Sequence, residues 1–288
     1  MRLALLGVRG STPAPGHPFA TTGGNTPCVA VSHDGARPSL ILDAGTGLRR
    51  LSAQWQGGPF RGTILLTHLH WDHVQGLPFF AAGDRDDADV SLIMPEQGDP
   101  VAVLGRALSP PHFPIGPEGL RGTWRFRGLE PGRHCLEDFE VLALDIAHKG
   151  GRTYGYRIED GRASVAYLPD HALVDRAGGP PIGDPSAVAN ALELVSGVDV
   201  LIHDAQFVDA ERHVAVAYGH ATVEATLALA ERAGVGRVIL FHHGPDRTDD
   251  QLAALLAQVA ATASVPVEIG TESSVVDLPE GRRRCPAG

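Results

Sequence analysis

Cysteine is scarce in this chain. Cys28, Cys135 and Cys285 are the only three in 288 residues, they lie far apart, and none sits at the spacing of a metal-binding pair. An odd, scattered set argues against a disulfide framework, so three reduced core or tail thiols are expected. Positive charge is in deficit too: 24 Lys and Arg against 34 Asp and Glu leave a formal net charge of −10. Neutralising the phosphates of a nucleic acid needs clustered Lys and Arg, so a polyanion is disfavoured as the main partner. Arg282-Arg283-Arg284 is a basic run, but at a tail it reads as a solvated terminus. No apolar run is long enough to cross a membrane. Residues 1–8 are too short for a signal peptide and no cleavage-like site follows them, so they read as a first strand in a cytoplasmic protein. No Ser- or Pro-rich linker divides the chain and no short repeat appears. A single domain over 1–288 is expected, and the 43% of hydrophobic residues suits a globular core.

Histidine is what the chain has in quantity, with 14 residues. Three of them fall in the stretch Thr67-His68-Leu69-His70-Trp71-Asp72-His73, with an aspartate among them. The preceding residues 63–67 are apolar and β-prone and read as a buried strand. Four ligand-type side chains at the end of such a strand are costly to bury unless something pairs with them, and a divalent metal is the obvious partner. In extended backbone His68 and His70 point the same way, while Asp72 and His73 on the following turn can face a second point. One strand end can then serve two adjacent metals. A single metal is the nearest alternative, and a surface histidine cluster the next, although such clusters rarely follow a buried strand.

Elsewhere, strands are expected at 3–8, 27–32, 39–42, 90–94, 139–145, 153–158, 163–168, 198–202 and 235–241. Helices are expected at 48–55, 186–195, 222–233 with a stop at Gly234, and from the Thr248 capping box to about 263. Residues 105–122 are too rich in Pro and Gly for regular structure and suit a lid or binding loop. Polar residues recur just past apolar strands: His148, Asp170, His203 with Asp204, and His242 with His243. That repetition marks one rim of the sheets, where ligands usually bind.

Here the residues resemble a known family, the metallo-β-lactamase fold hydrolases. The resemblance rests on His68, His70, Asp72 and His73 as an HxHxDH motif, on the Asp43 to Gly47 turn, and on His148, Asp170 and His242 in order. It covers nearly the whole chain. It implies an α+β fold, a four-layer αββα sandwich. Within the superfamily the chain looks closest to the phosphodiesterase branch, which includes ribonuclease Z and cyclic-nucleotide phosphodiesterase-like proteins. By that resemblance His68, His70 and His148 hold one metal, Asp72, His73 and His242 a second, and Asp170 bridges them. Zinc suits these donors best, with manganese or iron as alternatives. His70, in place of a glutamate, fits the hydrolases better than the flavo-diiron oxidoreductases of the same fold.

The implied reaction is two-metal hydrolysis, in which the metals lower the pKa of a water towards ~7. Its catalytic set is Asp72, His220 and Asp204: His220 protonates the leaving oxygen and Asp204 orients it. Helix capping near Thr222 is the structural alternative for His220, and support of a metal ligand that for Asp204. His171 and His203 read as structural, Asp43 as a partner of the histidine ligands, and His242 is favoured over His243. His112 and Phe113 read as parts of an ordinary exposed loop rather than as substrate contacts, and Trp71 either walls the pocket or packs. Ribonuclease Z carries a long tRNA-grasping arm between its third-motif His and bridging Asp; here His148 and Asp170 are joined by little more than a hairpin. A small phosphodiester or cyclic nucleotide is the expected substrate, with no membrane partner and, by analogy, a homodimer. The alternatives are a carbonyl-ester hydrolase (lactonase, thioesterase or β-lactamase) and a non-catalytic metal-bound sensor.

Overall fold

The structure, a computed structural model, describes residues 1–54, 57–173 and 185–279. Strands β1 (Arg2–Gly7), β2 (Cys28–Ser32), β3 (Leu40–Leu42), β4 (Arg61–Leu65), β5 (Asp89–Pro95) and β6 (Thr123–Leu129) form most of the first sheet. β7 (Gly132–Leu136), β8 (Phe139–Asp145), β9 (Tyr154–Glu159), β10 (Ser164–Leu168), β11 (Val200–Asp204), β12 (Val238–Phe241) and β13 (Val267–Ile269) form the second. β14 (Val275–Asp277) returns to the first sheet beside β1. Each sheet therefore has seven strands, in the orders β14-β1-β2-β3-β4-β5-β6 and β13-β12-β11-β10-β9-β8-β7. The helices are α1 (Leu48–Gln54), α2 (Trp71–Val74), α3 (Pro100–Gly105), α4 (Pro185–Val195), α5 (Arg212–Tyr218), α6 (Val223–Ala233) and α7 (Asp249–Ala260).

Alternation along the strands sorts the side chains into layers. Leu3, Leu5, Val29, Val31, Leu40, Leu42 and Leu65 face Val141, Tyr156, Val165, Tyr167, Ile202 and Phe241 in a core between the sheets. The intervening Leu6, Ala30, Ile41, Ile64 and Leu92 face outward to Leu48 and Leu51 of α1. On the other side Leu142, Ala166, Leu201 and Leu240 meet α4, α6 and α7 through Leu194, Leu229, Leu255 and Val259. The result is the four-layer α+β sandwich anticipated from the sequence.

Strand direction gathers the candidate residues. β3, β4 and β5 run parallel, as do β10, β11 and β12. β8 is antiparallel to β9, and β9 to β10, so β8 ends on the same edge as β10. The residues past the carboxyl ends of β8, β10, β11 and β12 therefore lie along one rim. Two buried tyrosines tie that rim to the first sheet: Tyr156 donates to the Leu66 carbonyl at 2.6 Å and Tyr154 to that of Leu129 at 3.0 Å.

The differences from expectation are local. β6, β7, β13, β14 and the short helices α2, α3 and α5 carry no strong periodic signal, and pairing or packing forms them. The 105–122 segment is irregular apart from a 3₁₀ turn at Pro117–Gly119. Trp55, expected to close α1, lies outside the described residues, as do Arg282, Arg283, Arg284 and Cys285. Cys28 is free and buried. Among the described residues no helix is long and apolar enough to cross a membrane.

Glycine is required where the Asp43–Gly47 turn meets the helix carrying Asp72. A Cβ on Gly45 would stand 2.3 Å from the Asp72 carbonyl oxygen and 2.5 Å from Thr26 Oγ1. Gly45→Ala is expected to cost at least about 2 kcal/mol in urea denaturation, since backbone on one side and a core hydroxyl on the other block relief. Metal affinity should fall with it, because the shift is passed straight to Asp72.

Candidate metal centre

The HxHxDH stretch begins three residues beyond β4 and turns into α2, a single helical turn with His70 at its N-cap position and no side-chain capping bond. Backbone bonds pin its start: Leu66 N–H donates to Ile93, and Tyr154 N–H to the Thr67 carbonyl. In α2, Asp72, His73 and Val74 turn inward while Trp71 projects to solvent.

The structure brings the predicted residues together in two trios. His68, His70 and His148 form one and Asp72, His73 and His242 the other, with the ligand atoms of each trio within 4.8 Å of one another. Asp170 stands between them. Its Oδ2 lies 2.9 Å from His73 Nε2 and 3.2 Å from His242 Nε2, and its Oδ1 lies 3.6 Å from His148 Nε2.

Supporting bonds aim these rings. Asp43, in left-handed backbone at φ 59°, accepts from Thr67 N–H at 2.8 Å and from the Tyr167 hydroxyl at 2.9 Å. Its Oδ2 also accepts from His73 Nδ1 at 2.8 Å, which leaves His73 Nε2 directed at the trio. His148 Nδ1 donates to the Gly219 carbonyl at 2.6 Å, leaving Nε2 inward, 3.3 Å from His70 Nδ1. Asp72 Oδ2 accepts the Ser11 N–H at 2.7 Å and faces His242 Nε2 at 3.1 Å.

His242 adopts φ 55°, rare for a residue with a side chain. The backbone beside it is stitched to the first strand by His243 N–H to Val8 and Gly10 N–H to His243, each 2.9 Å. His243 turns away and donates through Nε2 to the Gly270 carbonyl. Only His242 of the pair joins the trio.

The electrostatics of the cluster suit a cation. Burial pushes the carboxyls of Asp72 and Asp170 up, but His73 and His242 around them win, and both are held well below the usual range. His68 is driven well below its ordinary value by burial and then by neighbouring His73. His68 Nε2, His73 Nε2 and Asp170 Oδ2 are buried without a hydrogen-bond partner. The 2.9 Å approach of His73 to Asp170 is close enough for an ion pair yet misaligned for a hydrogen bond. Buried imidazole and carboxylate atoms that converge without satisfying one another fit divalent ions.

Asp204 and His220 form the next layer. Asp204 Oδ2 accepts from His220 Nδ1 at 2.8 Å and from the N–H groups of Ala221 and His171, and Oδ1 from Gln206 N–H. That bond leaves His220 Nε2 as the ring's free working atom. Burial lowers the His220 pKa, but Asp204, then Asp170 and Asp72, outweigh it and raise it to about 9. Thr222 does cap α6, accepting from Ala225 N–H, so the capping role belongs to Thr222 and leaves His220 available. His171 and His203 pair with each other at 3.0 Å, fully buried. Burial, then His203, lowers His171 to about 3, as befits a neutral structural pair.

His70, Asp72, His148, Asp170, His220 and His242 line a cleft of about 960 Å³ together with Ser11, Phe207, Tyr218 and Arg247. Sequence reading missed Ser11, Thr67 and Tyr167. Ser11 follows the first strand in an unremarkable Arg-Gly-Ser, and the other two look like ordinary strand residues.

A family model described as the β-lactamase superfamily domain matches residues 39–243. The chain belongs to the β-lactamase superfamily. The superfamily match takes in Asp43, all seven residues of the two trios and the bridge, Asp204 and His220. Ribonuclease Z of Bradyrhizobium diazoefficiens is 27% identical, over 92% of this chain and 97% of that relative. The metallo-β-lactamase fold protein YhfI from Bacillus subtilis superposes with a TM-score of 0.70 at 17% identity, over 96% of this chain and 99% of its own. Human tRNase Z, short form, gives 0.65 at 20% identity, over 97% and 100%. Together these likenesses establish the metallo-β-lactamase fold.

Proposed function

We propose that the chain is a metal-dependent phosphodiester hydrolase. The observation that carries the reading is the Asp204–His220 pair, 2.8 Å apart, set beside two trios of ligand-type side chains that share Asp170. His68, His70 and His148 would hold one divalent ion and Asp72, His73 and His242 a second, with Asp170 common to both. The imidazole and carboxylate donors favour zinc, with manganese or iron as alternatives. When bound, the ions supply Lewis acidity, lowering the pKa of a water and offsetting charge on the phosphoryl oxygens.

The chain's own residues do the rest. Asp43 and the Ser11 N–H hold His73 and Asp72 in place. Asp204 holds the Nδ1 proton and stabilises the imidazolium form of His220, in which Nε2 carries the second proton beside the cleft. A proton already resident there at neutral pH goes to the leaving alkoxide, and Asp204 stabilises the ring as it delivers it.

The relatives named ribonuclease Z weaken the expectation that nucleic acid is excluded, and an RNA diester joins the candidates. A small diester or cyclic nucleotide is still favoured by the segment between His148 and Asp170, which is little more than the β9–β10 hairpin.

The test is hydrolysis of bis(p-nitrophenyl) phosphate by zinc- and manganese-reconstituted protein, beside p-nitrophenyl acetate and a lactone. Metal-dependent diester turnover is expected. Turnover of the carbonyl esters alone would overturn the reading.

A further inference from the structure

Beside the cleft lies a second cavity of about 400 Å³, and its lining is of a different character. Trp71, Phe79 and Phe113 contribute to it among mostly apolar neighbours, with Gln75, Arg106 and His112 as its polar members. Trp71 walls both cavities and immediately precedes Asp72 in α2. The helical turn explains the geometry: with Asp72 and His73 turned inward, Trp71 must face out. The indole is left 76% exposed, and Phe79 is 56% exposed. Fold stability gives no reason to leave these two large aromatics bare around one cavity beside the cleft. Phe79 and Phe113 meet edge to face at 5.9 Å, so the Pro-rich 105–122 loop supplies the far wall.

We propose that this pocket receives a planar, uncharged aromatic ring carried on one ester arm of the substrate, a nucleobase being one such ring. The inference rests on the phosphodiesterase reading and deepens it. A ring is selected because the walls are aromatic and apolar, which reward flat π surface and penalise a charged arm. The volume falls in the range of small-ligand pockets. The shared Trp71 sets the pocket directly beside the cleft, so that one substrate would offer its phosphoryl group to the cleft and its ring to the pocket. Trp71 and Phe113 act here as specificity residues.

The test compares binding of phenylphosphonate and methylphosphonate to the metal-loaded full chain by calorimetry. Neither probe can be hydrolysed, so the comparison is read without turnover. Wild type is expected to bind phenylphosphonate at least about tenfold more tightly. Phe113→Ala should bring that ratio close to one with methylphosphonate affinity unchanged, and Trp71→Ala should independently bring the ratio close to one. Phe113 lies away from the trios, so its substitution stays informative even if Trp71→Ala disturbs α2. Equal affinity in wild type, or a ratio that survives both substitutions, overturns the inference. So does a dimer, seen by sedimentation, that Phe79→Asp dissociates while the wild-type ratio is absent: a second copy would then be the occupant. Loss of diester hydrolysis with the ratio intact would remove the phosphodiesterase reading and leave the ring pocket standing. Hydrolysis without the ratio would do the reverse.

Discussion

Replacing His220 by Ala is expected to lower kcat for a phosphodiester by about 10²–10⁴-fold in the metal-loaded enzyme, the usual span for a lost general acid. An alkoxide leaves poorly without a proton, and His220 is the imidazole whose Nδ1 is committed to a buried carboxylate while the ring borders the cleft. In the metal-free protein Asp204, then Asp170 and Asp72, raise its pKa to about 9 and favour the acid form. Wild-type kcat should therefore decline as pH rises and His220 loses its proton, and that limb should be missing from the variant. Activated leaving groups give a further check, because p-nitrophenolate needs little protonation and its esters should suffer less than alkyl diesters. His220 also approaches Asp170 Oδ1 at 3.7 Å, so metal content must be measured alongside. Unchanged metal content with lost turnover identifies a proton donor; lost metal would make His220 a ligand instead. Asp204→Asn removes the ring's orienting charge and should cost about 10–100-fold, with metal content again unchanged.

Asp170→Ala is expected to have the largest effect on metal binding. Asp170 is the one carboxylate whose two oxygens face different trios, and it is 2% exposed. Without it, five imidazoles and Asp72 would face two divalent ions with no charge shared between them. Metal content per chain should fall sharply and diester turnover should disappear. Stability supplies a separate readout. An ion present at 1,000 times its dissociation constant adds about 4 kcal/mol to a folded protein that binds it and whose unfolded chain does not. Chelation should therefore lower the urea midpoint of wild type, and added zinc should restore it. In Asp170→Ala the midpoint should hardly respond to either. A variant that keeps its metal and its zinc-dependent midpoint would show that Asp170 is not shared.

The parts of this protein set by local chemistry could be read from the chain alone. The run from His68 to His73 announces a metal centre because period-2 and helical geometry act over neighbouring residues, and nothing distant is needed to place them. The strand ends that carry His148, Asp170 and Asp204 were legible for the same reason: apolar runs stop where polar groups begin. The capping box at Thr248 and the left-handed stop at Gly234 likewise depend on a few adjacent residues.

Other features were decided by contacts across the fold. His242 and His243 are equivalent as neighbours. Their roles part only because backbone bonds to Val8 and Gly10 hold the segment so that His242 faces Asp72 and His243 faces Gly270. Ser11 reaches Asp72, and Tyr167 reaches Asp43, across 61 and 124 positions of sequence. The return of β14 to β1 is a long-range pairing too. The ring pocket exists because α2 turns Trp71 outward and the Pro-rich loop folds Phe113 against Phe79. Composition and motif determined what chemistry this chain can support. The packing of two sheets determined which of its residues meet to perform it, because pairing between distant segments is a property of the whole fold.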